Sequence, residues 1–214
     1  MVYRLDPSNL VFDSLLAFCL GVLFAVTINA EAQAFVAQIL GDVRWNDRNR
    51  FHFNPLRHLD VLGTTAFFTA GFGWPRNVDI ETSRFKHPSL YTVVVRLAGP
   101  TANFLLASII SNISLIIEQF SIDPEMFKIV LGVNLMVAVA NLLPIPPLAV
   151  GSLLTVLMSK RFNGFGNVLS RVGPYLLVGF LVAERFGQRE VTDQFLSPLF
   201  TPVFLFLTKS YSFG

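Results

Sequence analysis

Polar side chains stand where the surrounding sequence is apolar. Asn29, Glu31 and Gln33 close an apolar stretch whose charge-free part spans residues 14–30. Asn29 and Gln33 are four apart and share a helix face, while Glu31 points roughly the other way. In RLAGPTAN, Arg96 to Asn103, Gly99-Pro100 interrupts the hydrogen-bond ladder of an apolar helix, and Asn103 follows one turn in. In NLLPIPPLAVGS, Asn141 to Ser152, the residues Pro144, Pro146 and Pro147 forbid a regular helix. Polar groups at membrane depth are expensive and need partners inside the protein. Non-helical backbone survives there only where it lines a protein cavity. A simple kink explains one proline, but it explains P-I-P-P with an upstream Asn poorly. For Glu31 the plain alternative is a helix already leaving the membrane before Gly41 and Asp42. The remaining groups with chemistry are three histidines, His52, His58 and His87, and a single cysteine, Cys19. One cysteine excludes an internal disulfide and a Cys-rich zinc site.

The elements that must position these residues are membrane helices. Of 214 residues, 53% are hydrophobic and 14% charged, with a mean hydropathy of +0.58. A soluble domain carries about 25% charged residues. That excludes a disordered chain, a basic DNA-binding domain and an ordinary soluble enzyme, and the net charge of +2 gives no field for nucleic acid. Asp6 and Asp13 flank the first run and only Arg4 precedes it, which argues against a cleaved signal peptide. Charge-free runs cover 14–30, 61–75, 97–117, 129–159, 172–183 and 194–208. About 20 apolar residues span a bilayer core, so the second, fifth and sixth runs are short unless tilted, broken or lengthened by their flanks.

Basic residues follow the first run (Arg44, Arg48, Arg50, Arg57), precede the third (Arg76, Arg84, Lys86) and follow the fourth (Lys160, Arg161, Arg171). Glu118, Asp123 and Glu125 mark an acidic turn between the third and fourth. With basic sides cytoplasmic, the N-terminus and the acidic turn lie outside, and residues 58–75 leave and return on one side. The expected fold is an all-α integral membrane protein, a polytopic bundle of about 5–6 transmembrane helices with a re-entrant or broken segment. No repeat or linker divides it, so residues 1–214 form one domain. The longest polar stretch, 41–60, leaves no room within the chain for a soluble regulatory module.

Five blocks in this order resemble the site-2 protease family of intramembrane zinc metalloproteases (peptidase M50), in its short bacterial branch. They are NAEAQAFVAQILGD (Asn29–Asp42), NPLRHLDVLGT (Asn54–Thr64), GFGW (Gly71–Trp74), LAGPTAN (Leu97–Asn103) and NLLPIPPLAVG (Asn141–Gly151). The resemblance is strongest over residues 20–160. It implies a membrane fold whose cleft holds a substrate peptide as an extended strand, with Asn103, Asn141, Pro144, Pro146 and Pro147 around it. It also implies the bacterial inner (plasma) membrane.

The departures fall on the chemistry. In the family's H-E-x-x-H, two His bind zinc and Glu activates water. Asn29 stands at the first His, Ala30 at the Glu and Gln33 at the second His. The family's third ligand is the Asp of LDG, and Ala149 stands there. Amides are poor zinc ligands beside imidazole, thiolate and carboxylate. The expectation is therefore a non-enzyme, a pseudoprotease with no cofactor and zinc lost. Asn29 and Gln33 would bond each other, Asn141 or the 144–147 loop. Its partners would be other integral membrane proteins or a membrane complex, and lipid, and its role structural, assembly or regulatory. Glu31, His58 and Asp60 are possible polar contacts, ion-paired or hydrogen-bonded at the loop, and the alternative is an intramembrane zinc metalloprotease with an unorthodox site built from these three. A channel with Glu31 on an ion path is a third class, and nothing resembles the inverted halves it would need.

Overall fold

Apolar runs without clustered prolines become the long helices. The computed structural model describes residues 11–43, 53–161, 165–187 and 191–208, so the expectations resting on Arg44, Arg48, Arg50 and His52 lie outside the described residues. The elements are α1 (Phe12–Ile39), α2 (Pro55–His58), α3 (Val61–Ala70), a 3-10 turn (Thr82–Arg84), α4 (Pro88–Gln119), α5 (Glu125–Ala140), α6 (Ala149–Arg161), α7 (Phe165–Phe186) and α8 (Val191–Thr208). The fold is an all-helical, polytopic membrane bundle. Four helices, α1, α4, α7 and α8, are long and apolar enough to cross a membrane among the described residues. Helix α5 is shorter because the proline cluster ends it after 16 residues, a length of about 24 Å, although the charge-free run continues to Ser159.

Helix α3 has ten residues, about 15 Å, and so reaches half-way through a hydrocarbon core of about 30 Å. Asp60 caps its start by accepting from the Gly63 N–H at 2.8 Å. Gly71, in the left-handed conformation at φ 80°, closes its end. The chain then comes straight back: Leu59 and Pro75 form an antiparallel bridge, and the Arg76 N–H donates to the His58 carbonyl at 2.7 Å. Residues 58–75 therefore leave and return at one level, as the basic flanks imply.

Helices α1, α4 and α5 form the central packing group. Phe18, Val22, Ala25 and Val26 of α1 meet Val133 and Val137 of α5 in one buried cluster. A second cluster joins Phe72 and Trp74 to Leu131 and Leu135 of α5, Leu177 of α7 and Phe200 of α8. Helix α8 runs parallel to α4: Leu199 and Val203 face Leu97 to Phe104, and the Leu207 carbonyl accepts from the Ser111 hydroxyl. Helices α6 and α7 thus leave the end where α5 finishes and come back to it. Glu184 of α7 caps α8 through the Thr192 N–H at 2.9 Å and its hydroxyl. Outside the core, Phe12, Leu16, Leu20 and Phe24 make an exposed apolar stripe on α1 at four-residue spacing, suited to hydrocarbon.

Candidate functional site

A directed chain of side-chain hydrogen bonds runs through the central helices. Arg96 Nη1 of α4 donates to Gln33 Oε1 of α1 at 3.0 Å, and Gln33 Nε2 donates one turn back to Asn29 Oδ1 at 2.8 Å. Asn29 Nδ2 donates to Asn103 Oδ1 of α4 at 2.6 Å. Asn103 Nδ2 then donates to Asn134 Oδ1 of α5 at 3.1 Å and to the Ala25 carbonyl at 3.0 Å. Asn134 closes the series on the Val130 carbonyl at 2.9 Å. Each amide is both donor and acceptor, so three helices are joined with every link satisfied, which low-dielectric surroundings demand. Gly99 makes this possible. A Cβ there would lie 2.4 Å from Asn29 Oδ1 and 2.9 Å from Gln33 Nε2.

The 141–148 loop completes the site. Asn141 accepts from the Ala149 N–H at 3.0 Å through its side chain and from the Val150 N–H at 3.1 Å through its carbonyl, while Nδ2 donates to the Val137 carbonyl at 2.7 Å. One residue thus ends α5 and starts α6 across the proline loop. Gly151 sits under that loop, where a Cβ would be 2.1 Å from the Ile145 carbonyl carbon.

A polar cavity of about 20 Å³, room for about one water molecule, lies between these parts. Asn29, Gln33, Asn141, Pro147 and Ala149 line it, together with Trp74, Arg76, Asn77, Arg96 and Ser152. Residues far apart in sequence that the family resemblance singled out thus share one space. Asn103 does not line the cavity; it lies behind, fully buried in the hydrogen-bond chain. Ala30 is buried beside Asn29 and is not part of the lining. Pro144 faces a different, apolar cavity of about 250 Å³ with Phe72, Leu177 and Phe180, because the loop turns over at this point. Pro146 is buried and packs against Gly151 and Gly173.

Glu31 and His58 come together: His58 Nε2 lies 2.9 Å from Glu31 Oε1, both side chains buried. Asp60 does not join them. Its Oδ1 is taken by the Gly63 N–H and by Trp74 Nε1 at 3.1 Å, so the α3 cap and the loop behind it hold the carboxylate away. Sequence reasoning missed Arg96 and Asn134 as site residues. The signal was present, since a charged or amide side chain inside an apolar helix marks a functional position by default.

Comparison with known proteins decides the family. No protein-family model matches the chain, and no solved structure matches it. A protein of Bacillus subtilis (strain 168) named "Putative zinc metalloprotease YwhC" is 33% identical over 187 residues, which is 83% of this chain and 79% of that protein. The chain belongs to the site-2-protease-like family. This finding corrects two expectations drawn from the substituted motif. A relative this similar over most of the chain is named a zinc metalloprotease, which points toward a protease and toward zinc, so a non-enzyme without a cofactor does not stand.

The residues of the cavity give zinc little to bind. Asn29 and Gln33 offer amides already engaged in hydrogen bonds, and Ala149 offers only a methyl group. Among the described residues no group of three or more His, Cys, Asp or Glu converges. The described donor set does not fit a zinc ion at these positions. What the arrangement does offer is a polar pocket with guanidinium, amide and hydroxyl donors, walled by the loop that Asn141 spans.

Proposed function

We propose that this integral membrane protein receives a segment of another membrane protein at the polar cavity between α1, α4 and the 141–148 loop. The observation that carries this reading is the convergence of Asn29, Gln33, Asn141, Pro147 and Ala149 on one cavity. The protease name of the relative supports a polypeptide as the occupant. The bound segment belongs to a partner in a membrane complex, where this chain serves assembly or regulation, with lipid around the exposed stripes. The membrane is the bacterial inner (plasma) membrane, a reading supported by the bacterial relative.

The test places a photo-crosslinking amino acid at Asn77 or Ser152, both on the cavity wall, in cells making the full chain. The expected result is a discrete crosslink to another membrane protein, absent when the label is placed at lipid-facing Phe24. Crosslinks to lipid alone would sink the reading. A second reading, that the segment is cut, is favoured by the name of the relative. Its measure is the zinc content of the purified protein together with hydrolysis of the crosslinked partner. Hydrolysis with stoichiometric zinc would establish it, and neither would remove it.

A further inference from the structure

Arg96 stands out among the cavity residues. It is half-buried in a membrane-length helix, yet its bond inside the cavity goes to a neutral amide, Gln33. A guanidinium carries more donors than that bond uses, in a fork that matches a carboxylate. Arg76 lines the same cavity, with Asn77, Asn141 and Ser152, and no carboxylate is among the lining residues. The acidic group acting on Arg96 is Asp79, which is exposed beyond the lining. A donor-rich pocket with two guanidinium groups on its wall favours an anion, because a neutral amide leaves most of the Arg96 fork unused.

We propose that this cavity takes a carboxylate of the bound segment, held by Arg96 with Arg76 and the neighbouring amides. The inference rests on the segment-binding reading above and names the chemistry that the segment brings. Either an acidic side chain or a C-terminal carboxylate presents the same group. The cavity has room for about one water-sized group, so a single carboxylate oxygen enters it while the rest of the carboxylate and the segment stay at the mouth.

The experiment uses the full chain in nanodiscs of neutral lipid and three synthetic single-span peptides. The first carries Glu at one position near the membrane boundary and an amidated C-terminus. The second carries Gln there and is amidated. The third carries Gln and has a free C-terminal carboxylate. A charge-assisted pair predicts that a carboxylate peptide binds about tenfold tighter or more than the Gln amide. Whichever of the first and third shows the gain identifies the source. Arg96→Gln removes the preference and Arg96→Lys, which keeps charge but loses the fork, reduces it. Asp79→Asn, which removes the acidic group acting on Arg96, widens it.

Equal binding of all three peptides overturns the carboxylate site and leaves segment binding standing. Failure of every peptide to bind overturns both readings. Loss of the preference on adding anionic lipid, with the same dependence on Arg96, reassigns the pocket to phosphate headgroups and also overturns the proposal.

Discussion

Asn103 ties three helices with one side chain. Its carbonyl accepts from Asn29, and its amide serves Asn134 and the Ala25 carbonyl. Asn103→Leu preserves size and strands the Asn29 amide and the Asn134 carbonyl oxygen. Interhelical bonds in membrane proteins are worth only about 0.6 kcal/mol on average where partners can pair again. Here the flanking amides are fixed in a packed core, so the orphaning cost of about 1–3 kcal/mol applies. The variant should melt earlier in detergent than wild type, and a melting curve superimposable on wild type would refute the cost assigned to the network. Glu31 and His58 obey a different logic. Removing one partner of a buried hydrogen-bonded pair leaves the other unsatisfied at a cost of about 1–3 kcal/mol, whereas replacing both with apolar groups can be near neutral. His58→Leu should therefore destabilise more than the double change Glu31→Leu with His58→Leu. A double variant that is the less stable would show that the pair stabilises the fold outright.

At the scale of elements, the proline loop is held at both ends by a single residue, Asn141. Asn141→Ala removes the acceptor for the Ala149 N–H and the donor to the Val137 carbonyl. Hydrogen exchange at Ala149 and Val150 should rise about tenfold or more, while the middle of α1 stays unchanged. Unchanged exchange at Ala149 would mean that packing of Pro146 against Gly151, not Asn141, holds the loop. Much of this element was legible in the sequence: three prolines in four residues stop a helix wherever they occur, and Asn at the break implies a partner. The same prolines shorten α5, yet the unbroken hydrophobic run around them reads as enough for a full span. Asp60 makes its polar contacts at the loop, away from Glu31 and His58. It adjoins His58 in sequence, but D-x-x-G before an apolar run is also an N-cap signal, and the cap takes the carboxylate. The pairing of Arg96 with Gln33, 63 residues apart, could not be read from spacing, because it depends on how α1 and α4 are docked.

For the whole molecule, the direction of each helix follows from contacts that cross the bundle. Arg96 meets Gln33 while Asn103 meets Ala25, so α4 runs against α1. Asp42 after α1 accepts from the Glu81 N–H at 3.0 Å, and Arg84 donates to the Val43 carbonyl at 2.8 Å, which fixes the end of α1 beside the start of α4. The turn at Phe120 to Pro124, which links α4 to α5, must then lie at the opposite end. Between α1 and α4 the chain makes only the short excursion through α3, whose ten residues cannot cross a core of about 30 Å. Both of its flanks therefore face one side of the membrane. In a Cys19→Ser background, single cysteines at Leu56 and Asn77, both at exposed positions, should react with an impermeant maleimide from one side, and a cysteine at exposed Ile122 from the other. The positive-inside rule assigns Leu56 and Asn77 to the cytoplasm, since Arg57, Arg76, Arg84 and Lys86 flank them and Glu118, Asp123 and Glu125 mark the far turn. Labelling of Leu56 and Asn77 from opposite faces would make residues 58–75 a true span. The polar cavity would then open to the side opposite Leu56, and the partner segment would have to enter from there.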